Sequence, residues 1–163
     1  MPSRAVPAAY IGVIGAGVRS AETDVLADQV GRGVAERGAV LVCGGLGGVM
    51  EAACRGARSA GGRTLGLLPG SDREAANPHV ELAVPTGMGE LRNGLIVRAA
   101  DALIAVGGEW GTLSEIALAL KLGKPVVGLR TWPLARAGAP EGAIVVSDDA
   151  AQAVERAFEL LGR

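Results

Sequence analysis

A glycine-rich turn in the middle of the chain carries residue types that could bind a phosphate. Its glycines follow a short apolar run, 102–106, and are Gly107, Gly108 and Gly111. A helix is predicted directly after them, because apolar residues recur at helical spacing from Leu113 onward. The free N–H groups at the start of such a helix bind anions, most often phosphates. We therefore expect the function to lie at this turn.

Two roles are open for the glutamate that follows the turn. Thr112 and Glu115 have the spacing of a capping box, in which Thr112 is the N-cap residue and Glu115 binds its amide. In the alternative, Glu115 faces a pocket beside the bound anion. The spacing by itself favours the cap.

Two further glycine turns follow predicted strands. The turn 44–48, with the sequence Gly-Gly-Leu-Gly-Gly, lacks the Gly-Lys-Ser/Thr ending of a Walker loop. Its glycines either pack the next helix tightly or form a backbone cradle for a sugar or phosphate, and both roles can hold. The turn 15–17 resembles a dinucleotide fingerprint only loosely, because the third glycine and the acidic strand end are missing. A plain turn that lines the pocket is its expected role.

Arg92 and Asn93 are further candidates for contact with a ligand. They stand just after a glycine turn that leaves a predicted strand, which favours a position in the pocket. A solvated Arg92 on an exposed face is the alternative. His79 is the only histidine and has no cluster of Cys, His or Asp around it, so neither a metal site nor a Ser-His-Asp triad is expected.

Strands and helices are predicted to alternate along the chain, and this alternation positions the candidates. Apolar runs predict strands at 10–14, 39–43, 64–68, 80–84, 102–106, 126–129 and 143–146. Helical spacing and end signals predict helices at 22–37, 49–60, 90–99, 113–122 and 150–161. We therefore predict an α/β fold with one doubly wound, mostly parallel, Rossmann-like sheet and helices on both faces. The glycine turns then share one edge of the sheet, where ligands bind at the switch point in strand order.

Length and composition limit the classes of function. A chain of 163 residues is enough for one domain, and a net charge of −1 gives no indication of a nucleic-acid surface. No apolar run approaches the roughly 20 residues of a membrane span. Cys43 and Cys54 are expected as buried free thiols, which fit a reducing cytoplasm. Residues 1–9 are expected as a flexible tail before a single domain at 10–163.

The central turn resembles the main motif of the LOG family, the cytokinin-activating phosphoribohydrolases of nucleoside 5′-monophosphates. That motif is Pro-Gly-Gly-x-Gly-Thr-x-x-Glu, and this chain has Gly107 in place of the proline and Glu109 in place of the second glycine. The segment 41–53 resembles the first glycine loop and helix of the family. The similarity extends over nearly the whole chain from Tyr10 on.

A sister branch of LOG-like proteins is more similar to this chain at one segment. Asn93 stands where the hydrolases have lysine, and the pattern Thr-Gly-Met-Gly at 86–89 is followed by Arg92. That combination resembles the branch that includes molybdenum-cofactor carrier proteins, which bind a phosphorylated pterin without turning it over.

The resemblance implies a site and two alternative functions. In the first, Arg92 and Glu115 are the catalytic pair for N-glycosidic hydrolysis of a nucleoside 5′-monophosphate, in which Glu115 holds the ribose and stabilises positive charge while Arg92 orients the ligand. In the second, the chain is a non-catalytic carrier or sensor of a phosphorylated ligand such as molybdenum cofactor. The implied phosphate- or nucleotide-binding residues are Gly44, Gly45, Gly47, Gly48, Met88, Asn93, Gly107, Gly108, Gly111 and Thr112.

The resemblance also bears on partners and cofactors. The implied ligand is a phosphorylated small molecule, with neither nucleic acid nor membrane as a partner. A homodimer or homotetramer is implied, with the site near the subunit interface, and no metal or organic cofactor is needed. Pyridoxal-dependent lysine decarboxylation is not expected, because Lys121 and Lys124 lie at the far end of the helix from the glycine turn.

Overall fold

The computed structural model describes residues 7–137 and 142–163. The strands are β1 (Tyr10–Gly15), β2 (Val40–Cys43), β3 (Arg63–Leu68), β4 (Leu82–Pro85), β5 (Ala102–Val106), β6 (Val126–Leu129) and β7 (Val145–Val146). The α-helices are α1 (Ala21–Glu36), α2 (Val49–Ser59), α3 (Asn93–Ala99), α4 (Trp110–Lys121) and α5 (Ala150–Leu160). Short 3₁₀ turns lie at Arg73–Ala75 and Gly89–Arg92.

The described strands form one seven-stranded sheet in the order β4-β3-β2-β1-β5-β6-β7. Each neighbouring pair in this order is parallel. Strand order proceeds outward from β1 on one side and from β5 on the other, so the switch point lies between these two strands. The predicted doubly wound, Rossmann-like α/β architecture is confirmed, and its sheet is parallel throughout the described part.

The helices cover both faces of the sheet with an aliphatic core. Helices α1, α2 and α5 pack on one face, and α3 and α4 pack on the other. Alternate residues of β5 contribute to the two layers, with Ile104 in the first and Leu103 in the second. All positions of β5 are buried. The apolar run without alternation is thereby explained, because a central parallel strand is covered on both sides.

Helices α1 and α2 approach each other closely through a pair of glycines. A Cβ atom on Gly31 would lie 1.9 Å from the carbonyl oxygen of Ala53, and one on Gly56 would lie 1.9 Å from that of Asp28. The Nε atom of Arg55 donates a hydrogen bond to the Asp28 carboxylate across the same contact, at 2.8 Å. The glycine in α2 thus serves close packing against α1.

Replacement of Gly31 by alanine is expected to lower the free energy of unfolding by about 1–3 kcal/mol, because the new methyl group forces the two helices apart. The measurement is equilibrium denaturation in urea. The matched control is Gly94→Ala in α3, where the new Cβ would lie 3.7 Å from Leu118 Cδ2 and has room. Equal stability of Gly31→Ala and the wild type would contradict the close helix contact.

Several predicted boundaries shift in the structure. The helix predicted at 90–99 begins as the 3₁₀ turn Gly89–Arg92 and becomes α-helical only at Asn93. Strand β7 is limited to Val145–Val146 at the edge of the sheet. Residues 1–6 of the predicted tail lie outside the described part, whereas Ala9 is buried and its carbonyl accepts a hydrogen bond from the Val40 amide at 2.8 Å.

Two further expectations concern cysteines and membranes. Cys43 and Cys54 are buried and free, with their Sγ atoms 3.4 Å apart. The hydrogen bond with Cys43 and the loss of solvent on burial raise the pKa of the Cys54 thiol. No helix in the described part is both long and apolar enough to cross a bilayer.

Candidate functional site

A cavity of about 340 Å³ opens at the switch point of the sheet. Its walls come from the carboxyl end of β1, the turns that follow β1 and β2, the Gly89–Arg92 segment and the start of α4. The lining residues are Val13, Ile14, Gly15, Ala16, Gly17, Gly44, Met50, Pro69, Gly89, Glu90, Arg92, Asn93, Glu109, Gly111, Thr112 and Glu115. A ligand here would lie outside the carboxyl ends of the strands, where open parallel sheets bind their ligands.

Arg92 brings a buried positive charge into the cavity. Its side chain is only 8% exposed, and Nη1 donates a hydrogen bond to Asn93 Oδ1 at 2.6 Å. Its Nε atom is buried and has no partner in the described part. Burial lowers the pKa of Arg92, and the nearby Glu115 charge opposes that shift. A buried guanidinium without an ion-pair partner in the described part is costly, so its charge favours an anionic group in the cavity that it lines.

Gly44 makes room for this guanidinium. A Cβ atom at position 44 would lie 2.6 Å from Arg92 Nη1 and 2.7 Å from Met50 Sδ. A side chain at position 44, directly after β2, would therefore displace the guanidinium or the methionine sulfur from its place in the cavity wall.

Glu115 faces Arg92 from the second turn of α4. It is 6% exposed and lines the cavity, yet no ion pair joins it to Arg92 within residues 7–137 and 142–163. Burial raises the pKa of Glu115 to about 7, against the opposing effect of the Arg92 charge. The carboxyl group thus exchanges its proton near neutral pH, which is a property of acid–base and ligand-sensing groups.

The capping-box prediction for Glu115 is wrong. Helix α4 begins at Trp110 with Glu109 as the N-cap residue, so Thr112 lies inside the first turn and is buried. Because the helix starts earlier than predicted, Glu115 sits too far along it to bond to the amide of the N-cap residue. The alternative that the sequence also allowed, a glutamate facing the pocket, is the arrangement in the structure.

The N-terminus of α4 supplies free donors at the same cavity. The first intrahelical bond at this end runs from the Leu113 amide to the Glu109 carbonyl, at 3.0 Å. The amides of Trp110, Gly111 and Thr112 therefore have no helical acceptor, as at any helix start. Since Gly111 and Thr112 line the cavity, the positive end of the helix dipole faces it together with Arg92.

The structure brings half of the predicted site residues together in the cavity lining and leaves the other half outside it. The residues in the lining are Gly44, Arg92, Asn93, Gly111, Thr112 and Glu115. The residues outside it are Gly45, Gly47, Gly48, Met88, Gly107 and Gly108.

The glycines outside the lining shape the turns around the cavity. Gly48 has a φ of +63°, and a Cβ there would lie 2.2 Å from the Ala16 carbonyl oxygen, so the second glycine turn packs on the first. Gly107 has a φ of +57°, and its amide already donates to the Leu129 carbonyl at 2.8 Å. The amide of Gly107 is therefore not free for a phosphate, and this glycine acts on the site by directing the chain into α4.

Several lining residues were not singled out by sequence reasoning. The 15–17 turn lines the cavity as expected, but Val13, Met50, Pro69 and Glu90 were missed. One feature of the sequence indicates that Glu90 lies in the cavity wall, because it stands two residues before Arg92 on the same short turn. No feature of the sequence indicates the apolar lining residues, because apolar side chains of a core and of a cavity wall look alike in a sequence.

The lysines have structural positions. Lys124 donates hydrogen bonds to the carbonyl oxygens of Val97, Arg98 and Ala100 at the end of α3. Its amine satisfies carbonyls that the helix end leaves free and does not line the cavity. Lys121 is exposed and also lies outside the lining. Neither amine is placed for Schiff-base chemistry in this cavity.

The fold and the switch-point cavity place this protein among Rossmann-like proteins. Comparison with known proteins identifies its family. The sequence profile of the SLOG cluster4 family matches residues 8–155, and the chain belongs to this family. An uncharacterized protein of Archaeoglobus fulgidus is 51% identical over 120 residues, which are 74% of this chain and 79% of that protein.

Two solved structures are similar over nearly the whole chain. The molybdenum cofactor binding protein of the phototrophic bacterium Rippkaea orientalis is 33% identical, with a TM-score of 0.86 over 96% of this chain and 99% of that one. The Moco carrier protein of Chlamydomonas reinhardtii is 37% identical, with a TM-score of 0.84 over 96% of this chain and 99% of that one. The predicted membership of a LOG-like group that includes such carriers is confirmed.

Proposed function

We propose that this protein binds a phosphorylated small molecule in the switch-point cavity and carries it without turnover, with molybdenum cofactor as the cargo. The observation that carries the proposal is the buried, partly unpaired guanidinium of Arg92 beside the free amides of α4. Together they form a site for an anionic oxygen. Similarity to proteins that bind or carry molybdenum cofactor supports this cargo.

The charged side chains around the cavity favour a single phosphate group at one defined position. Among the described lining residues Arg92 is the only cation, whereas Glu90, Glu109 and Glu115 are carboxylic acids. A phosphate is therefore best placed between Arg92 and the α4 amides, with Glu115 protonated. The carboxyl oxygens of Glu90 and Glu109 can accept hydrogen bonds from amino and ring N–H donors on the rest of the ligand, and a pterin carries both.

Hydrolysis of a nucleoside 5′-monophosphate is the second candidate function. The observation that favours it is that one cavity holds both Arg92 and Glu115, a glutamate whose pKa is about 7. Ionised Glu115 would hold the ribose hydroxyls and stabilise the positive charge that develops at the anomeric carbon, while Arg92 orients the phosphate. Asn93, Gly107 and Glu109 depart from the hydrolase motif and favour the carrier instead.

We also propose that the protein is a cytoplasmic homodimer or homotetramer with the cavity near the subunit interface. Exposed apolar side chains on the cavity side support this assembly: Leu91 is 76% exposed, Trp110 is 73% exposed and Met88 is 43% exposed. A second copy would remove this apolar surface from water.

Incubation with AMP separates the two functions. The carrier function predicts binding of AMP in calorimetry and no free adenine in chromatography, and protein purified from a host that makes molybdenum cofactor should contain a bound phosphorylated pterin in mass spectra. Glu115→Ala serves as the matched variant. Adenine release that disappears in Glu115→Ala would contradict the carrier and support the hydrolase.

A further inference from the structure

Glu115 lies on the same face of α4 as the free amides at the start of that helix. It follows Gly111 by four positions and Thr112 by three, and residues at this spacing are neighbours on a helix surface. Because the Cα–Cβ bonds of a helix tilt toward its N-terminus, the Glu115 side chain extends in the direction of these amides. All three residues line the switch-point cavity. A carboxyl group therefore stands beside the place where the α4 amides would hold an anion.

This carboxyl group is buried and has no partner of its own. Glu115 is 6% exposed, and within residues 7–137 and 142–163 it forms neither an ion pair nor a hydrogen bond. The guanidinium of Arg92 is only partly engaged, since Nε is enclosed by protein and Nη1 donates to Asn93. Nη2 is thus the nitrogen left for a ligand. An anion held by Nη2 and the α4 amides meets an unpartnered acid in the same wall.

The other titratable groups near Glu115 are placed differently. Glu90 and Glu109 also line the cavity, but both are exposed, so water and salt screen their charges. The thiol of Cys43, which lies near Glu115, is enclosed in the core and is hydrogen-bonded with Cys54. The part of the lining that comes from β1 is uncharged. Glu115 is therefore the buried acid of this cavity in the described part of the chain.

An acid and an anion in contact need one proton between them. Either the protonated acid donates a hydrogen bond to the anion, or the anion keeps a proton and donates it to the carboxylate. Sulfate has no proton at neutral pH, so the acid has to supply one. Inorganic phosphate keeps a proton up to pH 8 and beyond. Burial raises the pKa of Glu115 to about 7, so this acid ionises in a range where phosphate still has a proton to donate.

We propose that Glu115 determines the anion specificity of the cavity, by selecting a phosphate group that carries a proton over a tetrahedral anion that carries none. This inference rests on the proposed anion site and adds its selectivity. The ionised carboxylate accepts a hydrogen bond from the P–OH group, while Arg92 and the α4 amides bind the other phosphate oxygens. A phosphate monoester is accordingly held as its singly charged form.

The test is calorimetric titration of the full chain at pH 8 and fixed ionic strength with phosphate, sulfate and methyl phosphate. Inorganic phosphate and sulfate are then both dianions of similar size that differ by one proton. We expect phosphate to bind about tenfold or more tightly than sulfate, the effect of one charge-assisted hydrogen bond. Methyl phosphate, whose last proton has a pKa of about 6, should resemble sulfate at pH 8. At pH 5 the protonated Glu115 donates to any of the three anions, and the preference for phosphate should disappear.

Two variants locate the source of the preference. Glu115→Gln should bind phosphate and sulfate equally at pH 8, because the amide donates to either anion. Glu109→Gln is the matched control, since it removes a carboxylate from the same lining. Its affinities for both anions should rise together, with their ratio unchanged.

The outcomes separate this inference from the proposed function. Equal affinity of the wild type for phosphate and sulfate at pH 8, or a preference that survives in Glu115→Gln, would overturn the role of Glu115 and leave the anion site in place. The comparison of the three anions on the wild type needs no variant, so it decides the matter even if Glu115→Gln does not fold. Absence of binding of any of the anions at pH 5 would refute the anion site, and this inference with it.

Discussion

Replacement of Arg92 by glutamine is expected to weaken sulfate binding at the start of α4 roughly 100-fold, the effect of losing a charge-assisted hydrogen bond and its Coulomb attraction. Arg92 is the only cation among the described residues that line the cavity, and three carboxylic acids line it as well. Without the guanidinium, an anion there would face these acids with only the helix amides to hold it. Sulfate is the preferred probe because its charge is constant between pH 5 and pH 8. Isothermal titration calorimetry at fixed ionic strength measures the affinity.

Gly44→Ala is expected to weaken sulfate binding by a different route and so checks the geometry. The new Cβ would lie 2.6 Å from Arg92 Nη1, and therefore the guanidinium has to move. We expect affinity for sulfate to fall by about tenfold or more while the charge of the protein stays the same. Gly17→Ala is the matched control, since residue 17 lines the same cavity but its Cβ would lie 3.9 Å from the nearest atom, Met50 Cε. Wild-type affinity in Arg92→Gln, with the fold intact in circular dichroism, would refute the proposed anion site.

The fold was predictable because its signals are local. The apolar run of β5 has no alternation since both faces of the strand are covered, and Gly123 ends α4 with a φ of +71°. Each such signal depends on a few adjacent residues, and the alternation of strands and helices then leaves few possible arrangements. The position of the glycine turns at one edge of the sheet follows from that order alone.

The roles of Glu115 and of the glycines could not be decided locally. The spacing of Thr112 and Glu115 fits both a capping box and a pocket residue, and the choice depends on Arg92, which arrives from a separate segment. A glycine such as Gly48 is required by the carbonyl oxygen of Ala16, more than thirty positions earlier in the sequence. Contacts of this kind exist only after the chain has folded, so a glycine pattern alone does not separate ligand binding from close packing.

Glu115→Gln is expected to remove a large part of the pH dependence of stability. The pKa of Glu115 is about 7 in the folded protein, against 4.5 for an unperturbed glutamate. Between these values the folded state keeps the proton and the unfolded state loses it, so stability falls as pH rises from about 4.5 to 7 and is level above that range. Over this pH range the free energy of unfolding falls by about 3 kcal/mol, at 1.36 kcal/mol for each pKa unit. Below about pH 4.5 both states are protonated, and Glu115 then contributes nothing to the pH dependence of stability.

Urea denaturation at pH 5, 6, 7 and 8 measures this effect as the difference between wild type and Glu115→Gln. Glu155→Gln, at an exposed position of α5, controls for the removal of one carboxylate. A pH-independent difference between wild type and Glu115→Gln would contradict the raised pKa. The same proton is linked to the ligand: sulfate beside Glu115 favours the protonated acid, so wild-type affinity should fall between pH 6 and pH 8 while Glu115→Gln binds equally at both. A carrier with this glutamate would therefore hold its anionic cargo more tightly at the lower pH and release it as Glu115 ionises.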